Sequence, residues 1–241
     1  MKSTNTGGLS AFTRLELLAC GLGCGLVMAV IVPGLANSTA RSDRVLCVNN
    51  LRQIGIAYAN FGLESRENLP PWRLPMGEGG NENHPLRQNL YAQFAALSNW
   101  LATPKLLADP GDEQRRFLNP ARHWGVTTGG LWNPAHQNNS VSYFLGTDGT
   151  FRMPRAVLSG DRNLPIDGFG GSSSGLLTAF LDTATVQWTN DVHGLSGNLL
   201  FFDGSVEQTD TRRLREALQN GAGNADTNGI VQRARALMTF F

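Results

Sequence analysis

The segment FTRLELLACGLGCGLVMAVIVPGL, Phe12 to Leu35, decides how the rest of the chain is read. From Leu17 to Val32 every residue is apolar or Gly, and the two charges, Arg14 and Glu16, stand at its head. With its flanks the run is about 20 residues, enough at ~1.5 Å rise per residue for one crossing of a bilayer core. A carboxylate in such a segment costs roughly 2.5–3.5 kcal/mol at the bilayer centre and less near the interface. Glu16 is therefore expected to meet a partner, and a free amine close by would supply one. Cys20 and Cys24 lie four apart on one helix face and read as small packing residues.

Working outward, Pro33-Gly34 reads as a kink rather than a stop, because helical pattern resumes beyond it. Cys47, Leu51, Ile54, Tyr58 and Phe61 recur at steps of three and four, while Asn49, Arg52, Gln53 and Asn60 fall largely off that stripe. The spacing predicts one long bent helix over residues 12–66, membrane-spanning over about 12–35 and amphipathic thereafter. Residues 67–241 are long enough to bury a core of their own. Pro70-Pro71 closes the helical region, and residues 74–84 form a polar, Gly-rich loop. Pro85 opens a helix with a core face of Leu86, Leu90, Phe94, Leu97 and Leu101, stopped by Thr103-Pro104. Residues 119–140 read as an irregular loop whose Trp124 and Trp132 cover a sheet. Strands are expected at Val141–Leu145, Arg155–Leu158, Thr185–Trp188, Asn198–Phe202 and Ser205–Gln208. Thr147-Asp148-Gly149-Thr150 signals one hairpin. Asp203-Gly204 signals another, taking the positive φ angles of a tight type I′ turn. Leu214 and Leu218 mark a short helix closed by Asn220-Gly221, and residues 230–241 a final amphipathic helix or tail.

Composition narrows the classes. Net charge is +1, which points to neither nucleic acid nor an acidic surface. Three Cys make no disulfide framework, and 28 Gly with 11 Pro favour a loop-rich, β-containing domain. No Gly-x-Ser-x-Gly elbow, zinc-ligand spacing, EF-hand loop or phosphate-cradling Gly loop with Lys is present. His193 reads as a hairpin lock bonded to a backbone carbonyl or loop carboxylate. Asp191, Asp148, Asp161 and Asp167 are the carboxylates that could approach it.

Three motifs carry a resemblance. FTRLELLAC with its apolar run resembles the type IV prepilin signal, although Ala11 stands where that family has Gly and Arg14 where it has an apolar residue. Cys47, Asn49, Asn50, Leu51, Arg52, Gln53, Ile54, Gly55 and Tyr58 resemble the Cys-x-Asn-Asn-Leu segment of prepilin-like proteins. His193, nine residues, then Asp203-Gly204 resemble the H-x9-DG element of the same family. The family often has Cys-Pro-Ser-Asp where this chain has Asp109-Pro110-Gly111-Asp112, which leaves Cys47 without a partner from that element.

The resemblance implies an α+β, pilin-like fold, a long N-terminal helix against a small antiparallel sheet. It implies a leader at 1–11, cut by prepilin peptidase between Ala11 and Phe12, with Phe12 then N-methylated. Glu16 would pair with the amine of a neighbouring subunit. The implied protein is a non-enzymatic subunit of a type IV pilus-like or type II secretion pseudopilus-like filament. It would sit single-pass in the bacterial inner membrane before assembly, with residues 67–241 periplasmic or extracellular. Its partners would be prepilin peptidase and other pilin-like subunits, not nucleic acid. No cofactor is expected, calcium being the metal suggested by analogy with some pseudopilins. Rival readings of the same head are an ordinary signal peptide, with a weak site in Leu35-Ala36-Asn37-Ser38, and an uncleaved anchor. The functional rival is a membrane-tethered extracytoplasmic enzyme or a ligand- or metal-binding module using His193 and Asp203.

Overall fold

The computed structural model describes residues 13–65, 68–86, 89–112, 120–147, 149–164, 177–182, 186–221 and 235–240. Of residues 14–15, 30–37, 39–40, 177–182, 221 and 235–240 it describes the backbone alone. The chain divides into two compact units, residues 1–42 and 43–241.

The first unit holds the beginning of α1 (Arg14–Glu64), a helix of 51 residues that does not end at Pro33-Gly34. Its start is fixed by a reciprocal pair: the Thr13 amide donates to Glu16 Oε2 (2.9 Å) and the Glu16 amide to Thr13 Oγ1 (3.3 Å). This is a capping box, in which two otherwise unsatisfied helix-start amides find side-chain acceptors. Leu17, Leu18, Leu22, Leu26, Val27 and Met28 are exposed. Among the described residues no helix is long and apolar enough to cross a membrane. The described apolar side chains stop at Ala29; Ala11, Phe12 and the side chains of 30–37, which belong to the expected leader junction and span, lie outside the described residues.

In the second unit the later part of α1 buries Cys47, Leu51, Ile54, Tyr58 and Phe61, the stripe its spacing predicts. Leu51, Ile54 and Phe61 each contribute roughly 1.5–3 kcal/mol on leaving water. Six antiparallel strands form one sheet: β1 (Tyr143–Gly146), β2 (Val157–Asp161), β3 (Leu177–Asp182), β4 (Ser196–Phe201), β5 (Val206–Asp210) and β6 (Arg235–Phe240). Their order is β3-β6-β1-β2-β4-β5. Alternation along the strands feeds two cores. Tyr143, Leu145, Leu158, Leu200 and Phe202 join the α1 stripe. Phe144, Val157, Leu199 and Phe201 face the other way, with Trp188 and with Leu214 and Leu218 of a terminal-region helix, Thr211–Gly221. The domain is thus mixed α and β around an antiparallel sheet buried on both faces.

Several expectations are corrected. The helix expected from Pro85 is only α2 (Leu90–Ala95), because Asn89 holds an extended backbone (φ −91°, ψ 128°); the helix after it, Thr211–Gly221, is α3. Leu90, Phe94, Leu97 and Leu101 are buried as the spacing predicts, with the last two on turns, whereas Leu86 is exposed. Residues 186–188 are not a strand. The Trp188 amide donates to Thr211 Oγ1 and the Val186 carbonyl accepts from Arg215 Nε, so α3 takes the place of a neighbouring strand. Residues 235–240 are strand β6, not helix, and they pair with both β3 and β1. Trp132 packs edge-on against Tyr91 (5.1 Å between ring centres) and, with Trp124, borders the core that the sheet shares with α1. Asp148 and Asp167 lie outside the described residues.

Candidate functional site

The two domain motifs meet across the sheet. Gly55 of α1 lies over the β4–β5 hairpin, where a Cβ would come within 2.8 Å of Leu200 Cδ1 and 3.7 Å of the Gly204 Cα. Only a glycine lets the helix come this close. The hairpin loop itself departs from expectation. Gly204 takes φ +81° but Asp203 does not have a positive φ, so the turn is not type I′. The Gly204 amide donates to the Phe201 carbonyl (3.0 Å) and the Phe201 amide to the Ser205 carbonyl (3.0 Å), the pattern of a three-residue loop ending in a left-handed glycine. The Asp203 carboxylate accepts from the Ser205 amide (2.8 Å) and lies 3.7 Å from the Arg155 guanidinium. Burial raises the Asp203 pKa, but the Ser205 bonds and Arg155 outweigh it and hold the carboxyl below its usual range.

At the other end of β4 the polar residues converge. A register shift between Val157 and Ser159 of β2 reverses the alternation of that strand. Val157 faces the α3 side, yet Asp161 lies opposite Tyr143 and so faces α1. Asn198 of β4 completes that row: its amide (2.7 Å) and its Nδ2 (3.0 Å) both donate to Asp161 Oδ2. From α1, Cys47 Sγ donates to Asp161 Oδ1 (3.0 Å). His193 enters from the loop before β4, where Gly194 and Leu195 both take positive φ (62° and 53°). For Leu195 that conformation costs ~1–2 kcal/mol. The His193 carbonyl is held by Arg44 (2.7 Å) and Ser196 Oγ (2.8 Å). Its Nε2 lies 3.0 Å from Asp109 Oδ2 and 3.5 Å from Asp161 Oδ2.

Asp109 comes from the Asp109-Pro110-Gly111-Asp112 turn. The Gly111 amide donates to Asp109 Oδ1 (2.7 Å), and Asp112 makes a two-pronged ion pair with Arg162 (2.5 and 2.7 Å) that ties the turn to the end of β2. Asp109 thus comes to rest beside Cys47. One potential ligand atom each from Cys47, Asp109, Asp161 and His193 lies within 4.8 Å of every other, and all four residues are buried.

Electrostatics follow from that burial. Two carboxylates share one imidazole in a place water does not reach. Burial, then the Asp109 charge, pushes Asp161 up to about 7, against the pull of His193. Burial, then both aspartates, pushes the Cys47 thiol well up. Burial works against the His193 imidazolium, but Asp109 and Asp161 more than offset it and raise its pKa. A protonated thiol in a closed pocket is a poor nucleophile. Cys47 is therefore not activated as a catalytic cysteine would be.

Of the residues singled out in the sequence, Cys47 and His193 come together, and Asn50 stands beside them, donating to the Ala108 carbonyl (3.4 Å) and Tyr143 Oη (3.5 Å). Asn49 is exposed. His193 and Asp203 do not converge: the length of β4, about 20 Å at ~3.3 Å per residue, separates them. Asp191 bonds Thr189 rather than His193. In the sequence Asp109 is marked only as standing where the resembling motif has Cys, and Asn198 only as the start of a strand; neither reads there as a neighbour of His193. The Thr13-x-x-Glu16 capping box did carry one, and it gives Glu16 a local role whether or not the chain assembles. Comparison with known proteins found no matching family model, no matching curated protein and no matching solved structure.

Proposed function

We propose that the chain is a structural subunit of a type IV pilus-like or type II secretion pseudopilus-like filament. The observation that supports this best is the exposed apolar run of Leu17, Leu18, Leu22, Leu26, Val27 and Met28 at the head of a helix whose later part is the spine of an α+β domain. Such a run needs a cover, which would be inner-membrane lipid before assembly and the equivalent helices of sister subunits afterwards. Prepilin peptidase would cut between Ala11 and Phe12 and methylate the new amine. That cut would leave the Thr13–Glu16 capping box in place, and on assembly Glu16 would exchange its Thr13 bond for a neighbour's amine.

The test is filament incorporation of Glu16→Ala and Glu16→Val. Both should drop out of the filament while the domain stays folded, and normal incorporation of both would remove the pairing role. A second reading, a membrane-tethered extracytoplasmic binding module, draws support from the buried Cys47–Asp109–Asp161–His193 cluster, with Asp203 taking no part in it.

A further inference from the structure

We propose that Cys47, Asp109, Asp161 and His193 form a closed four-ligand site for a zinc-type divalent cation. The proposal goes beyond the filament reading and stands or falls apart from it. The donor set comes first: one thiol, one imidazole and two carboxylates are ligands that zinc takes, in fours, in structural sites. Calcium and magnesium ask for six or more oxygen ligands, which this set does not offer.

Geometry agrees. Metal–ligand bonds of about 2.0–2.3 Å in a tetrahedron put ligand atoms about 3.3–3.8 Å apart. Here Cys47 Sγ lies 3.0 Å from Asp161 Oδ1, and His193 Nε2 lies 3.0 Å and 3.5 Å from the two aspartates. Opening the 3.0 Å pairs slightly and drawing in the wider ones, which lie within 4.8 Å, would admit the ion. The ligands are also aimed by second partners, as bound ligands are. The Gly111 amide orients Asp109, and the Asn198 amide and Nδ2 orient Asp161. Asn198 Oδ1, buried in the same row, has no partner.

The four ligands come from α1, the Asp109 turn, β2 and the loop before β4. The ion would fasten the helix to the sheet where three Cys residues provide no disulfide among the described residues.

The experiment uses the full chain in detergent, stripped with a chelator and titrated with Co²⁺ alone. The expected result is one cobalt per chain, with a thiolate-to-cobalt charge-transfer band and tetrahedral d–d bands, all reversed by Zn²⁺. Cys47→Ala should abolish the band, whereas Cys20→Ser with Cys24→Ser should keep it. Asp109→Asn preserves side-chain shape and should weaken cobalt binding even if Cys47→Ala fails to fold. Asn198→Ala should weaken it by about 10–100-fold. Wild-type protein that holds no cobalt, or a band that survives in folded Cys47→Ala, would overturn the site.

Discussion

Leu17, Leu22 and Leu26 in the first part of α1 stand 69–71% exposed, whereas Leu51, Ile54 and Tyr58 in its later part lose all contact with solvent. The residue types are alike; the surroundings are not. The later stripe is covered by the chain's own sheet and by α2, so its spacing is a statement about folding. The first run is left exposed by the described residues, and the filament proposal draws its support from that exposure.

The sharpest way to break this comparison is to truncate both regions. Ile54→Ala should destabilise the domain by about 2–5 kcal/mol in denaturant unfolding, the range for a buried aliphatic deletion. Leu22→Ala should leave it unchanged within about 0.5 kcal/mol. Equal effects would mean that the two regions are not distinct in kind. Next in size is Gly55→Leu, which pushes side-chain atoms into Leu200 and should cost about 1–3 kcal/mol by overpacking. Gly204→Ala meets no atom within 4 Å, so its cost is the backbone's alone, about 1 kcal/mol at a φ of +81°.

Within the folded domain the smallest effect belongs to Asp203. Its folded pKa lies below the usual value, so its contribution is present above pH ~4 and is lost as pH falls through the folded pKa. An unfolding series below pH 4 should show this part of the acid sensitivity vanish in Asp203→Asn. At neutral pH that variant should lose no more than ~1 kcal/mol, since the Arg155 pair is at the surface.

Local periodicity made the α1 stripe legible, because a helix places Cys47, Leu51, Ile54, Tyr58 and Phe61 on one face whatever packs there. The strands at 143–146 and 196–201 were legible as short apolar runs, the second beside the Asp203-Gly204 turn signal. The loop at Asp203-Gly204 was legible as a hairpin but not in type, since Asp203 is free to keep a negative φ when Gly204 alone supplies the turn. Residues 235–240 carry a short apolar pattern that fits either period; pairing with two strands decides it. The Cys47–Asp109–Asp161–His193 cluster was the least legible part. Its members sit on four separate elements, and the β2 register shift that turns Asp161 toward α1 follows from strand pairing rather than from local sequence.

The most direct test of the filament reading is intact-mass and N-terminal peptide analysis of the chain recovered from bacterial membranes. The account predicts a chain beginning at N-methylated Phe12, with residues 1–11 gone. A chain that still begins at Met1, or that begins after Ala36, would contradict it.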